Sequence, residues 1–261
     1  MSFFEGHVTL LSSSYEETKK FCTLSTLRIL AFFGLADNNF AGTWRINPPT
    51  HCRDGIIPNM LDLLAQSPLI FAIVLVALVI SLSVHEFAHA WLSDRLGDPT
   101  ARQLGRVTLN PIAHIDPLGM LLLVVAGFGW GRPVPFNPLN LKYPKRDSAL
   151  IALAGPASNF ILAVATAVVA NLVTPDSLIG GALYLLVFYN LMLGVFNLMP
   201  FHPLDGFKIV GGLLPNNLAL QWYQMQPYGI IILVAFIFTN SFQKVVLPVV
   251  GILTKFLGLT A

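Results

Sequence analysis

The densest concentration of reactive side chains in the sequence is the run His85-Glu86-Phe87-Ala88-His89. On a helix, residues four apart share a face, so both imidazoles can address one metal ion. Glu86 then lies beside them, placed to take a proton from an attacking water. This is the spacing of zinc hydrolases. In a soluble protein such a pentapeptide arises often by chance. Here it ends the apolar run Leu69 to Val84, where two imidazoles and a carboxylate cost roughly several kcal/mol unless paired, metal-bound or facing water. A catalytic zinc takes three protein ligands and keeps a fourth position for water. The third ligand must come from elsewhere, and the best candidate is Asp205, in the run Asn197 to Gly206 (NLMPFHPLDG). The expected cofactor is one zinc ion per chain.

The elements that must position these residues are hydrophobic. The chain is 55% hydrophobic and 11% charged, about half the charged share of a soluble domain. Apolar runs predict spans at about Leu69 to Leu92, Ser148 to Val173 and Ile179 to Met199. Two further pieces, about Pro227 to Phe238 and Val245 to Leu259, form either a pair of short spans or a tilted hairpin. Between the first two spans, Leu118 to Trp130 would cover only about 20 Å as a helix, against a hydrocarbon core of about 30 Å, short enough to dip in and return. It is flanked by Gly105 to Pro111 and Arg132 to Leu139, short Gly- and Pro-bounded segments with partly β-like composition. The fold class is therefore an all-α polytopic membrane protein with about four to six transmembrane helices and a short re-entrant or β-like element after the first long helix.

Charge placement supports that topology. Arg95, Arg102 and Arg106 precede the short piece, Arg132, Lys142, Lys145 and Arg146 follow it, and the connection Thr174 to Leu178 has no basic residue. The positive-inside rule puts the first two groups on the cytoplasmic side. If the short piece re-enters without crossing, His85, His89 and Asp205 share one side at similar depth; if it crosses, they cannot form one site. Net charge is +2, too slight to suggest a nucleic acid partner. Residues 1–59 differ in composition from the rest and are expected to be a separate extension, disordered or upstream of a start at Met60, with residues 60–261 as the membrane domain. Cys22 and Cys52 fall in that extension without a paired metal spacing.

Together, HEFAH, GPASN at Gly155 to Asn159 and NLMPFHPLDG at Asn197 to Gly206 resemble the site-2 protease family of intramembrane metalloproteases. The resemblance runs from about Met60 to the last spans. It implies a zinc-dependent endopeptidase that cleaves transmembrane or membrane-proximal segments of membrane protein substrates, in a lipid bilayer, with a site opening to the cytoplasm. By matching positions, His85, His89 and Asp205 are metal ligands and Glu86 the catalytic base. Asn159 and Asn197 either support substrate or transition state, or make structural interhelical bonds. The sequence departs from the family in having no PDZ-like insertion between spans and no CBS-like domain after the last one. Phe207 also stands where a second glycine is common. The plasma membrane is the expected location.

His202 and His114 stay outside the expected ligand set, the first as a loop residue between prolines, the second as an interfacial histidine or a support for the site. Gly155, Ala157 and Ala163 suit close helix packing, and Trp91, Trp130 and Trp222 suit interfacial anchoring. The alternative function is a membrane metal transporter or metal-binding sensor built on the same His/His/Asp cluster, which would tolerate Glu86→Gln. A membrane zinc protease of another family is a weaker rival, because such enzymes more often draw the third ligand from a Glu.

Overall fold

The computed structural model describes residues 60–259. The expected extension, with Cys22 and Cys52, lies outside the described residues. After a short helix α1 (Met60–Gln66), the frame consists of α2 (Pro68–Arg95), α5 (Pro144–Ala170) and α6 (Leu178–Asn197). These three are long and apolar enough to cross a membrane. Between them lie α3 (Thr100–Gln103) and α4 (Pro117–Ala126). The chain ends in α7 (Asp205–Leu213), α8 (Asn216–Gln224), α9 (Gly229–Phe238), a π-helical turn Phe242–Val246 and α10 (Leu247–Phe256). The segments Asn216–Phe238 and Phe242–Phe256 meet at a bend of 76°, and counting that pair as one span gives up to four.

Local sequence explains the helix limits. Pro68 opens α2 and Pro144 opens α5, positions where a missing N–H costs nothing. Ser177 caps α6 by accepting from the Gly180 amide. At 28 residues, α2 is about 42 Å long, longer than a hydrocarbon core of about 30 Å, and its C-terminal half carries both histidines. The three long helices pack through small and branched side chains. Ala163 and Ala167 of α5 share one buried cluster with Val74 and Ala77 of α2 and Val187 and Phe188 of α6. Large apolar side chains on the opposite faces, Val76, Ile161, Val164 and Val168, are exposed, as a lipid-facing surface requires.

The short apolar piece doubles back. Asp116 caps α4 through the Gly119 amide at 2.8 Å, and Gly127 ends it in the left-handed conformation at φ 71°. An isolated antiparallel bridge joins Ile115 to Gly131, and the Arg132 amide donates to His114 O at 2.8 Å. The chain therefore leaves and returns at one end of the bundle, and α4, at 10 residues, is about 15 Å long. Gly119 permits the return: a Cβ there would stand 2.1 Å from Trp130 O.

The β-like segments form no strand among the described residues. Pro133, Pro135 and Pro138 have no N–H for a ladder. Residues 132–137 are instead fastened by side chains. Buried Arg106 donates to the carbonyls of Arg132 and Pro133, and Asp98 accepts from the Asn137 amide at 2.6 Å. Asp98 is fully buried and also accepts from Ser93 Oγ, the Thr100 amide and hydroxyl, and Asn140 Nδ2. Burial raises its pKa, but these donors outweigh burial and hold it below the ordinary aspartate value.

Candidate metal centre

Two stripes of side chains at four-residue spacing face each other across α2 and α5. On α2, Ala77, Ser81, His85, His89 and Ser93 are buried; on α5, Ile151, Gly155, Asn159, Ala163 and Ala167 are buried. Such rows are the ridges through which helices interlock. In the middle of each the apolar packing gives way to polar chemistry.

His85 Nε2 and His89 Nε2 lie 3.0 Å apart. Asp205 Oδ2, from the first residue of α7, lies 3.1 Å from His85 Nε2 and 3.2 Å from His89 Nε2. Three ligands bound tetrahedrally to zinc at 2.0–2.1 Å stand roughly 3.3 Å apart, so this near-equilateral triangle fits such an ion with little movement. The Nδ1 side fits as well. His85 Nδ1 is 2.6 Å from Asn159 Oδ1, and His89 Nδ1 is 2.7 Å from Ile151 O. A ring that donates its Nδ1–H to an oxygen keeps the Nε2 lone pair for a metal. Burial raises the Asp205 pKa, but the electrostatic attraction of the adjacent His89 and His85 holds its carboxyl well below the usual carboxylate range. It is an anion turned towards the two Nε2 atoms.

Gly155 is the floor of this triangle. A Cβ there would stand 2.3 Å from His89 Nε2 and 2.6 Å from His85 Cε1, far inside contact distance. Pro156, which follows it within α5, removes one backbone donor and loosens that turn. The glycine expected to serve helix packing therefore sits directly against both imidazoles.

Glu86 reaches a loop rather than the triangle's own partners on α5. Its Oε2 accepts from the Val134 amide at 3.1 Å, the middle of the extended segment 132–137. Phe207 is buried and stacks on Trp222 at 5.1 Å, and Trp222 Nε1 donates to Phe207 O at 2.8 Å. This contact fixes α7 against α8 and gives Trp222 a task other than interfacial anchoring.

Of the other expected residues, Asn159 touches the triangle through His85, and the rest lie apart from it. Asn159 spends its amide inside the bundle, donating to Ser81 O and Asn190 Oδ1 while its oxygen faces His85. Asn197 donates back to Leu193 O of its own helix. His114 is fully buried and its Nε2 pairs with Thr108 O at 2.8 Å, which makes it an internal tie of the loop rather than an interfacial group. His202 lies 3.4 Å from Gln226 through its Nε2 and does not join the cluster. Sequence reasoning missed Asn190, Asp98 and Arg106. A signal existed for the first, an amide in the middle of the apolar run Ile179 to Phe196, which must find partners inside the protein.

Comparison with known proteins gives this geometry a context. No protein-family model matches the chain, and no solved structure matches it significantly. The chain is 37% identical over 185 residues to the Bacillus subtilis protein named "Putative zinc metalloprotease YwhC", covering 67% of this chain and 84% of that protein. It is 28% identical over 181 residues to "Putative zinc metalloprotease Rip2" of Mycolicibacterium smegmatis, covering 67% of this chain and 70% of that one. It is 26% identical over 154 residues to "Zinc metalloprotease MJ0392" of Methanocaldococcus jannaschii, covering 58% of this chain and 37% of the other. With a zinc-compatible donor triangle in the C-terminal half of a helix long enough to cross a membrane, and with this coverage of YwhC, the chain belongs to the same family of zinc metalloproteases.

Proposed function

We propose that the protein is an intramembrane zinc endopeptidase of site-2 type, cleaving transmembrane or membrane-proximal segments of membrane proteins in regulated proteolysis. The observation that carries this reading is the donor triangle of His85, His89 and Asp205 at 3.0–3.2 Å, placed in the C-terminal half of a long apolar helix and beside Glu86 in sequence. His85, His89 and Asp205 are its metal ligands, for one zinc per chain, and Glu86 its general base. The seven basic residues around the short hairpin favour a site opening to the cytoplasm from the plasma membrane.

When bound, zinc supplies Lewis acidity, lowering the pKa of water and polarising a carbonyl. The remaining chemistry belongs to the chain. Glu86 accepts a proton at its carboxylate from the attacking water and delivers it to the departing amide nitrogen. The Val134 amide holds one oxygen of that carboxylate, which leaves the other to handle the proton. A helical substrate hides its carbonyls in backbone hydrogen bonds, so the segment to be cut must unwind, and helix-weakening residues near the cut favour cleavage. Asn159 acts on this chemistry through His85 rather than by touching substrate, because its amide is committed to the bundle.

The test is Glu86→Gln in detergent or liposomes, with zinc content and cleavage of a transmembrane substrate measured together. Retained zinc with turnover reduced roughly 10²–10⁴-fold is expected of a general base. Zinc binding by wild type and variant with no cleavage by either, over varied substrates, would overturn the protease reading in favour of metal transport or sensing.

A further inference from the structure

Resting on the metal-centre reading above, we infer that Asn190 is a positioning residue for the zinc ligand His85, acting from α6 through Asn159 on α5. Neither asparagine needs to touch the ion. What they provide is a hydrogen-bond chain with a fixed direction.

The chain starts from groups that can only accept. Leu186 O receives the Asn190 Nδ2 donor at 2.8 Å, which turns Asn190 Oδ1 the other way, towards Asn159. Asn159 Nδ2 then donates to Asn190 Oδ1 at 2.8 Å and to Ser81 O of α2 at 3.0 Å. An amide nitrogen has two hydrogens, and both are used. Asn159 Oδ1 is thereby aimed at His85 Nδ1, 2.6 Å away, where it can only accept. The Nδ1 proton is fixed in place and the Nε2 lone pair is free for the metal.

The flipped alternatives are costly. Turning Asn159 over would set its oxygen against two acceptors, Ser81 O and Asn190 Oδ1. Turning Asn190 over would do the same against Leu186 O. Both asparagines are fully buried, so water does not relieve such a clash, and an unpaired amide there is expensive. His89 has a shorter arrangement, its Nδ1 meeting the backbone carbonyl of Ile151 directly. The two ligands are thus oriented by different means, one by backbone and one by a relay of side chains across three helices.

The experiment compares zinc affinity, by competition with a chromophoric chelator in detergent, among wild type, Asn190→Leu, Asn190→Asp, Asn159→Leu and the double variant Asn159→Leu/Asn190→Leu. Asn190→Leu removes the acceptor and should weaken zinc binding by roughly tenfold, the lower end of the range for such supporting partners, because Ser81 O still holds one Asn159 hydrogen. Asn190→Asp keeps an acceptor oxygen towards Asn159, and full burial favours its protonated form, whose hydroxyl can donate to Leu186 O in place of the amide, so affinity should stay within about threefold of wild type. The double variant should bind no worse than Asn159→Leu, since the two act in series. If Asn190→Leu does not fold, Asn190→Val replaces it, and the aspartate rescue still decides. Wild-type affinity in Asn190→Leu, equal losses in the leucine and aspartate variants, or additive losses in the double variant would each overturn the relay. Failure of the wild-type protein to bind zinc would instead overturn the metal-centre reading beneath it.

Discussion

The two sides of the site are built differently. The metal side is helical: His85 and His89 sit on α2, their Nδ1 atoms meet groups on α5, and Gly155 closes the floor. The base side is a loop: Glu86 is on the same helix, but its carboxylate is held by the amide of Val134, in a proline-rich segment without a β ladder. On the helical side, position follows from packing of rigid elements. On the loop side it follows from two buried charged groups, Arg106 at residues 132–133 and Asp98 at residue 137. The difference teaches that zinc affinity and base placement should be separable by mutation, although His85 and Glu86 are neighbours in sequence.

The strongest way to break the metal side alone is Gly155→Ala. The added Cβ would stand 2.3 Å from His89 Nε2 and 2.5 Å from His89 Cε1, and ordinary carbon contacts are about 3.5–4.0 Å. One ring must leave the triangle or α5 must back away. Zinc affinity should fall at least about 100-fold, the upper end for disturbed ligand orientation, and turnover with it. Equilibrium zinc titration of the folded variant checks this; unchanged affinity would mean that the helices separate here at no cost to the site.

The helical side was the more legible in sequence. HEFAH announces its own geometry because i and i+4 positions share a face whatever surrounds them, and Asp205 followed once the short apolar piece was read as returning. The loop side was not legible. Arg132 to Leu139 has the composition of an irregular strand, but nothing in it says that Val134 rather than Phe136 meets Glu86, or that Asp98, about 40 residues earlier in the chain, is its fastener. Those contacts depend on long-range placement. Gly155 was read as a packing residue for a similar reason: a glycine signals close approach, and only the fold identifies the approaching group.

Two predictions probe the loop side. Asp98→Ala strips a fully buried carboxylate from donors on Ser93, Thr100, Asn137 and Asn140, and orphaned buried donors cost about 1–3 kcal/mol each when water cannot reach them. A stability loss of about 3 kcal/mol is expected in chemical denaturation, with turnover falling more than zinc affinity in the protein that remains folded. Val134→Pro is milder. It removes the single N–H that holds Glu86 Oε2 in a backbone already flanked by prolines, so zinc affinity should stay within about threefold while kcat drops roughly tenfold, the worth of one hydrogen bond to a charged group. Equal losses of zinc and kcat would show that the two sides are not independent.

The smallest effect separates the sides by pH. Asp98 has its folded-state pKa lowered, because the donors around it favour the ionised form over the cost of burial. A depressed carboxylate contributes stability that is fully present above its unfolded value, about 3.9, and is lost as pH falls through the lower folded value. The loop fastening should therefore persist unchanged from neutrality down to about pH 4 and weaken only below it. Hydrogen exchange of the Asn137 amide, which donates to Asp98, reports this directly. Its protection should be flat with pH above about 4, after correction for intrinsic exchange, and fall in more acidic solution. Loss of protection already near pH 6 would place control of the segment on some group other than Asp98.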